Sequence, residues 1–223
     1  MSLRPAIPLH QYRGHVLIAA PATEPVTLQE IRAQLAIDGT DDDELLTDMI
    51  TEARQEIEDD SGMALVTQSW RLSLDRWPNG IEEWWTGTRQ GAIGNIVSRP
   101  AWVELPRSPL ASIVAVSVFD DLGAETVVDV ASVFDVDTYQ TPGRMALKVG
   151  KTWPIALREI NAIQIDYTAG YGAAADVPAP IKRAIKAMVG YLYSHRGDDC
   201  SAGDAMAESG AGMIVGRYKV KRV

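Results

Sequence analysis

The stretch TAGYGAAADVPAPIKRAIKAMVGYLYSHR, residues 168–196, decides the fold of this chain. A predicted strand end and a Gly/Ala-rich bend lead to Pro178 and Pro180. Because proline lacks the amide hydrogen that stays unpaired in a first helical turn, these prolines predict a helix start. Apolar residues then recur at helical spacing and define one face: Ile181, Ile185, Met188, Val189 and Leu192. Such a helix needs a partner to bury this face.

The partner is predicted far upstream, at residues 42–61, where acids crowd the first helical turn and an apolar stripe follows. A shorter helix at 27–38 precedes it, with Thr27 as N-cap and Glu30 completing a capping box. We expect these two helices and 180–196 to form one bundle. Its core is expected to contain Leu46, Ile50, Ile57, Ile185, Met188 and Leu192.

The apolar period changes to two between the helices, which predicts β-strands. The strands recur at roughly ten-residue spacing with turn signals between them, which is typical of a small antiparallel sheet or barrel. They are expected at 66–74, 102–105, 113–119, 125–130, 134–137, 144–149 and 162–167.

The predicted class is therefore α+β: a small bundle of three main helices with an inserted antiparallel β-region and extended N- and C-terminal arms. We divide the chain into an arm at 1–25, a helical part at 26–63 plus 178–197, a β-region at 64–177 and a tail at 198–223.

The tail is rich in Gly, Ala and Ser up to residue 216, so we expect a tether that packs no core. Its end alternates basic residues with residues of high strand propensity, namely Arg217, Tyr218, Lys219, Val220, Lys221, Arg222 and Val223. Such a segment can add as a strand to the sheet of another protein. The alternative is a disordered basic tail that raises solubility.

Composition limits the classes of function. The net charge of −9 argues against a protein that wraps nucleic acid, because neutralising phosphates requires clustered Lys and Arg. One cysteine, Cys200, excludes an intrachain disulfide. No apolar run approaches the length of a membrane span, so we expect a soluble, intracellularly made protein with no membrane partner.

Acidic residues are concentrated in one region. Residues 38–60 carry eleven acids and a single base, Arg54. Such a run is usually a solvated face. The alternative is a functional acidic surface, for which Asp48, Glu52 and Glu56 are the candidate residues.

No catalytic or metal-binding pattern is found. His10, His15 and His195 have no ligand spacing, and no nucleophile or phosphate-loop motif occurs. We therefore expect no enzyme activity, cofactor or metal. Trp84 and Trp85 lie in a polar predicted loop, where such residues bind proteins, pack the loop or stack on sugars.

Five stretches together carry a family resemblance: TLQEIRAQLAIDGTDDDELLTDMITEARQEIEDDSG, LVTQSWRLSLDRWP, VELPRSPLASIVAVSVFDDLG, TWP and IDYTAGYG…VPAPIKRAIKAMVGYLYSHR. In this order they resemble the head–tail connector (adaptor) proteins of long-tailed bacteriophages and of the related gene transfer agents, over residues 25–196. The loop with Trp84 and Trp85 and the N-terminal arm depart from that pattern, so no family role is carried onto them.

The resemblance implies a non-enzymatic ring of identical subunits, usually twelve, docked beneath the capsid portal. It implies DNA passing through the channel without specific binding, and a tail-side stopper or tail-terminator protein as second partner. The expected location is the neck of a virion or particle assembled in the bacterial cytoplasm.

Two assignments follow from that resemblance. Residues 217–223 become the candidate portal-binding segment, and the acids of 48, 52 and 56 become candidate channel-facing residues. The alternative from another class is a carbohydrate-binding or carbohydrate-cleaving β-module that uses Trp84 and Trp85 with Glu82 and Glu83.

Overall fold

Two hydrophobic cores, one between helices and one between sheets, organise the chain. The computed structural model describes residues 13–78, 102–197 and 201–220. The helices are α1 (Leu28–Leu35), α2 (Asp43–Ser61), α3 (Val130–Val133), α4 (Ala179–Ser194), α5 (Ala202–Glu208) and α6 (Ala211–Val215). The strands are β1 (Arg13–Ala19), β2 (Gln68–Leu74), β3 (Trp102–Glu104), β4 (Leu110–Phe119), β5 (Glu125–Val128), β6 (Phe134–Asp137), β7 (Arg144–Leu147) and β8 (Ile163–Ala169).

The helical core forms where the apolar stripes of α2 and α4 meet. Helix α1 packs against both, and its Thr27–Glu30 capping box is present as predicted. Pro178 is the N-cap of α4, and Pro180 lies in its first turn, where a missing amide hydrogen costs nothing. Ile185 and Met188 are fully buried between these helices.

The β-region is built from two antiparallel sheets. One has five strands in the order β1-β2-β8-β4-β5, and the other has three in the order β3-β7-β6. Strands β2 and β8 alternate between buried and half-buried residues, as expected for strands with one face on a core. The α+β class with antiparallel sheets is thus confirmed.

The bend between β8 and α4 depends on Gly170. Its φ is +134°, and a Cβ there would lie 2.6 Å from the backbone carbonyl of Val66. Only glycine fits at such a close backbone approach. This contact, with the hydrogen bond from the Tyr171 amide to the Leu65 carbonyl at 3.2 Å, holds the end of β8 against the chain that leaves α2.

The N-terminal arm was predicted to extend over residues 1–25, and this is wrong for its second half. Residues 13–19 form β1, an edge strand paired with β2 from Arg13↔Leu74 to Ala19↔Ser69. The side chains of Val16, Leu17 and Ile18 in this strand are exposed. Strand pairing with β2, rather than burial, orders this segment. Residues 1–12 lie outside the described residues.

The C-terminal tether is a second correction. Residues 202–208 form α5, which packs on α2 and α4, and residues 211–215 form α6, which packs on α4 and α5. Ser201 and Asp204 form a capping box at the start of α5. The small residues that predicted a tether instead permit close helix packing, because Ala205, Ala211 and Val215 are fully buried in the helical core.

Candidate interaction surfaces

A buried ionic network joins the helical part to the β-region. The Glu58 carboxylate on α2 pairs with Arg54 at 2.7 Å and accepts hydrogen bonds from the Leu65 amide at 2.8 Å and the Gln68 side chain at 2.5 Å. Arg54 also pairs with Glu24 at 2.8 Å. Burial raises the pKa of the Glu58 carboxyl, and these hydrogen bonds and Arg54 act in the opposite direction. Sequence reasoning counted Glu58 only as one of many surface acids.

Arg107 closes the C-terminal end of α2. Its Nη1 donates to the carbonyls of Glu58 at 2.6 Å and Met63 at 3.2 Å, and its Nη2 pairs with Asp59 at 2.6 Å. These contacts add a second donor to the Glu58 carbonyl, which also accepts from the Gly62 amide at 3.0 Å, and place a cation at the negative end of the helix dipole. Arg107 therefore links the segment between β3 and β4 to the end of α2.

Aromatic stacking extends this junction to the edge strand. The His15 ring of β1 stacks on the Trp70 indole at 4.4 Å, and the Arg107 guanidinium lies 4.6 Å from the centre of the same indole. The Nε2 atom of His15 lies 2.8 Å from the hydroxyl of Tyr167. Burial raises the pKa of that phenol. The edge strand, the large sheet and α2 are therefore held as one unit.

The acidic run divides into two groups. One group makes intramolecular contacts: Asp42 accepts from the Tyr193 hydroxyl at 2.6 Å, and Asp43, Glu58, Asp59 and Asp60 pair with Arg32, Arg54, Arg107 and Lys219. The other group makes no ion pair within the described ranges and consists of Asp38, Asp41, Glu44, Asp48, Glu52 and Glu56.

The predicted channel-facing residues belong to the second group. Asp48, Glu52 and Glu56 recur every fourth residue and therefore follow one face of α2. Asp48 and Glu52 are exposed, and Glu56 is half-buried beside Gly203 of α5. We call these three residues the acidic stripe. It can repel or exclude an anion, and its orientation towards a channel stays a prediction.

The described part of the predicted portal-binding segment, residues 217–220, lies against the end of α2. The Val220 amide donates to the Ser61 carbonyl at 2.9 Å, and Lys219 pairs with Asp60 at 2.6 Å. Tyr218 and Val220 pack on the helical core, and Arg217 is exposed. No strand forms between 217 and 220. Lys221, Arg222 and Val223 lie outside the described residues.

The six predicted core residues lie together in the helical core: Leu46, Ile50, Ile57, Ile185, Met188 and Leu192. The predicted sugar-stacking or interface residues Trp84 and Trp85, with Glu82 and Glu83, lie outside the described residues, as does His10.

Two further findings concern the described ranges alone. They contain no group of three or more His, Cys, Asp or Glu side chains suited to hold a metal ion. Among their helices, none combines the length and the apolar character that crossing a bilayer requires.

Comparison with known protein families gives a match to part of the chain. A family described as phage gp6-like head-tail connector protein matches residues 25–92. This range contains α1, α2 and β2, the first part of the resemblance seen in the sequence, and that resemblance is confirmed. No curated protein sequence matches the chain.

Comparison with solved structures identifies the fold. A chain in the neck of an empty gene transfer agent particle, computed with C6 symmetry, aligns with a TM-score of 0.70 at 21% identity, over 94% of this chain and 97% of that one. A chain of a native gene transfer agent virion aligns with a TM-score of 0.67 at 21% identity, over 94% of this chain and 96% of that one. A chain in the neck of a native gene transfer agent particle, computed with C12 symmetry, aligns with a TM-score of 0.65 at 22% identity, over 93% of this chain and 97% of that one. This chain therefore shares its fold with these chains of gene transfer agent particles.

Proposed function

We propose that this protein is a head–tail connector: a subunit of a ring that docks on the capsid portal, joins it to the tail and leaves a channel for DNA. The observation that carries the proposal is the fold match to a neck chain over 94% of this chain. The connector-family match at residues 25–92 supports it independently from sequence.

The ring is the finer part of the proposal, and we take twelve subunits as the working number. Identical subunits close a ring through heterologous interfaces, in which two different surfaces of each copy meet. The contacts of Glu58, Arg107 and Trp70 join the helical core to the large sheet, so each subunit would enter such a ring as one unit.

The acidic stripe fits a wall that DNA passes without being held. A positive wall would bind the phosphate backbone and retard the strand, whereas unpaired carboxylates repel it. Asp48 and Glu52 are exposed and make no ion pair in the described part of the chain, so their charge is free to act at a distance. In this proposal DNA is a passing cargo and not a specific ligand.

The C-terminal segment 217–223 is proposed to contact the portal. Its docked position changes how it does so: Lys219 and Val220 are held by Asp60 and Ser61, so the segment is presented from the end of α2 and not from a free tether. Arg217 is exposed there and available to an acidic partner. The tail-side partner is proposed to be a stopper or tail-terminator protein.

The proposed role is structural and needs no catalysis, and its place is the neck of a particle assembled in the bacterial cytoplasm. The carbohydrate-module alternative depended on Trp84 and Trp85, and no feature of the described residues favours it.

A complementation experiment tests the connector role. A producer strain lacking this chain should release DNA-filled heads without tails, and the wild-type chain should restore joined particles. The triple variant Asp48→Lys, Glu52→Lys and Glu56→Lys should assemble necks but lower DNA delivery. Normal tailed particles without the chain would refute the proposed function, and normal delivery by the triple variant would refute only the role of the acidic stripe.

A further inference from the structure

The turn that ends α2, residues 61–64, contacts two remote segments of the chain. Gly62 adopts the left-handed conformation at φ +74° and caps the helix by donating its amide to the Glu58 carbonyl at 3.0 Å. The other three residues of the turn are at most 3% exposed. We call residues 61–64 the exit turn. Because its backbone is shielded from water, its polar groups depend on partners from neighbouring segments.

The first set of contacts joins the exit turn to the segment that leads into β4. The Ala64 amide donates to the Ser108 carbonyl at 2.8 Å, and the Ser108 amide donates to the Gly62 carbonyl at 3.3 Å. The Arg107 side chain donates to the Met63 carbonyl at 3.2 Å. These hydrogen bonds attach the β-region to the end of α2.

The second set of contacts joins the same helix end to residues 217–220. The Val220 amide donates to the Ser61 carbonyl at 2.9 Å. Lys219 pairs with Asp60, and these side chains are 54% and 34% exposed. An exposed ion pair, one backbone hydrogen bond and the packing of two partly buried side chains hold the segment weakly. The docked and undocked states of residues 217–220 therefore differ little in free energy.

The last turn of α2 needs cations that the helix itself does not supply. It carries Asp59 and Asp60 and no basic residue, although the helix dipole disfavours carboxylates at this end. Arg107 pairs with Asp59 and Lys219 pairs with Asp60, each at 2.6 Å. Both remote segments thus stabilise one ordered helix end. When either segment has ordered that end, the other binds to it at a lower cost in conformational entropy.

We propose that the exit turn is a coupling device: docking of residues 217–220 strengthens the attachment of residues 107–108, and that attachment strengthens the docking in return. The coupling is reciprocal because it is a free energy shared by two contacts on one helix end. Its functional consequence rests on the proposed portal contact of residues 217–223. A portal that holds this segment in its docked position also fixes the β-region on the helical part.

Hydrogen exchange of the full-length chain and of a chain lacking residues 217–223 tests one direction of the coupling. The deletion should speed amide exchange at Ala64 and Ser108 about fivefold or more. Arg217→Ala is the matched control and should leave both amides unchanged, because Arg217 is exposed and pairs with no acid in the described part of the chain. Unchanged exchange after the deletion would overturn the proposal. So would an equal rise throughout α1, because it would show a general loss of stability.

Limited digestion with trypsin tests the reverse direction. Docking protects the peptide bond after Lys219, because the amide of that bond donates to the Ser61 carbonyl. Arg107→Ala should therefore raise the initial rate of cleavage after Lys219 about fivefold or more, as read by mass spectrometry. The matched control Arg71→Ala breaks an ion pair with Asp166 on the large sheet and should leave that rate unchanged. Equal rates for the two variants would contradict the coupling.

A folding check accompanies the digestion. Circular dichroism compares Arg107→Ala with wild type. If Arg107→Ala does not fold, Arg107→Lys takes its place, because lysine keeps the charge and loses the forked contact with two carbonyls. The same increase in cleavage after Lys219 is then expected, and a rate equal to that of wild type overturns the proposal.

The outcomes separate the coupling from the connector role, because both measurements use the chain without portal. Adding purified portal rings should slow exchange at Ser108, since the portal holds the docked segment. Portal binding with no change at Ser108 would overturn the functional consequence and leave the connector role intact. A chain that shows both reciprocal effects and binds no portal would refute the connector role and support the coupling.

Discussion

Single buried polar residues determine how the two halves of this molecule are joined. Glu58 is 4% exposed and contacts Arg54, Leu65 and Gln68, while Arg107 spans from the β-region to the end of α2. Periodicity placed Ile57 in the core correctly but gave no sign that its neighbour Glu58 is also buried. A buried acid has the same sequence signal as an exposed one, because only tertiary contacts supply its partners.

Removing the Glu58 carboxylate should destabilise the protein strongly. Glu58→Ala leaves Arg54 with only Glu24 and strips partners from Leu65 and Gln68, so we expect a loss of about 3–5 kcal/mol in unfolding free energy. Glu58→Gln keeps an oxygen that accepts from the Leu65 amide and the Gln68 side chain, so it should lower the unfolding free energy clearly less than Glu58→Ala does. Urea denaturation measures both values. A loss below about 1 kcal/mol for Glu58→Ala would show that the network is not structural.

The pH dependence of stability provides a separate check on Glu58. Burial raises the pKa of Glu58 above the ordinary 4.5. In the pH interval between 4.5 and this raised pKa, the folded state holds a proton that the unfolded chain has released. The stabilisation linked to this proton is present at lower pH and is lost as pH rises through the interval. Wild type minus Glu58→Gln should therefore lose relative stability from about pH 4.5 upward. A difference that grows with pH would contradict the raised pKa.

At the scale of elements, the strongest signals in the sequence were the helices α2 and α4. Their stripes, proline start and glycine stops gave their positions to within about two residues of the structure. The helices α5 and α6 were not predicted. Their buried positions are mostly alanine and they are short, so they produce only a weak helical pattern of apolar residues. Strand β1 was missed because an exposed edge strand does not alternate. In both cases the sequence lacked the apolar periodicity that predicts a helix or a strand.

Packing of α4 on α2 should dominate the stability of the helical core. Ile185 is fully buried, so Ile185→Ala removes side-chain contacts and leaves a cavity, at an expected cost of about 2–5 kcal/mol. Met213 on α6 is 82% exposed, and Met213→Ala is the matched control, with an expected change within about 0.5 kcal/mol. Thermal and urea unfolding measure both variants. Equal effects for the two would contradict the assigned core.

The C-terminal segment should contribute to partner binding more than to folding. Deleting residues 217–223 removes the Lys219–Asp60 pair, which is largely exposed, and the small contacts of Tyr218 and Val220. The truncated chain should therefore fold and form rings but bind purified portal more weakly, most clearly at low salt. Surface plasmon resonance at two salt concentrations measures this. Portal binding as tight as wild type at both would exclude the segment as the anchor.

At the scale of the whole molecule, the α+β class and the order of helical and β parts could be predicted, and the assembly surfaces could not. A ring interface is made of surfaces from two copies, so neither half shows a core pattern within one chain.

The most direct test of the connector role is native mass spectrometry of the purified chain, alone and mixed with purified portal rings. The connector role predicts a closed ring of this chain that binds one portal ring as a single complex, with twelve subunits as the working number. A chain that stays monomeric in both samples and leaves the portal mass unchanged would contradict that role.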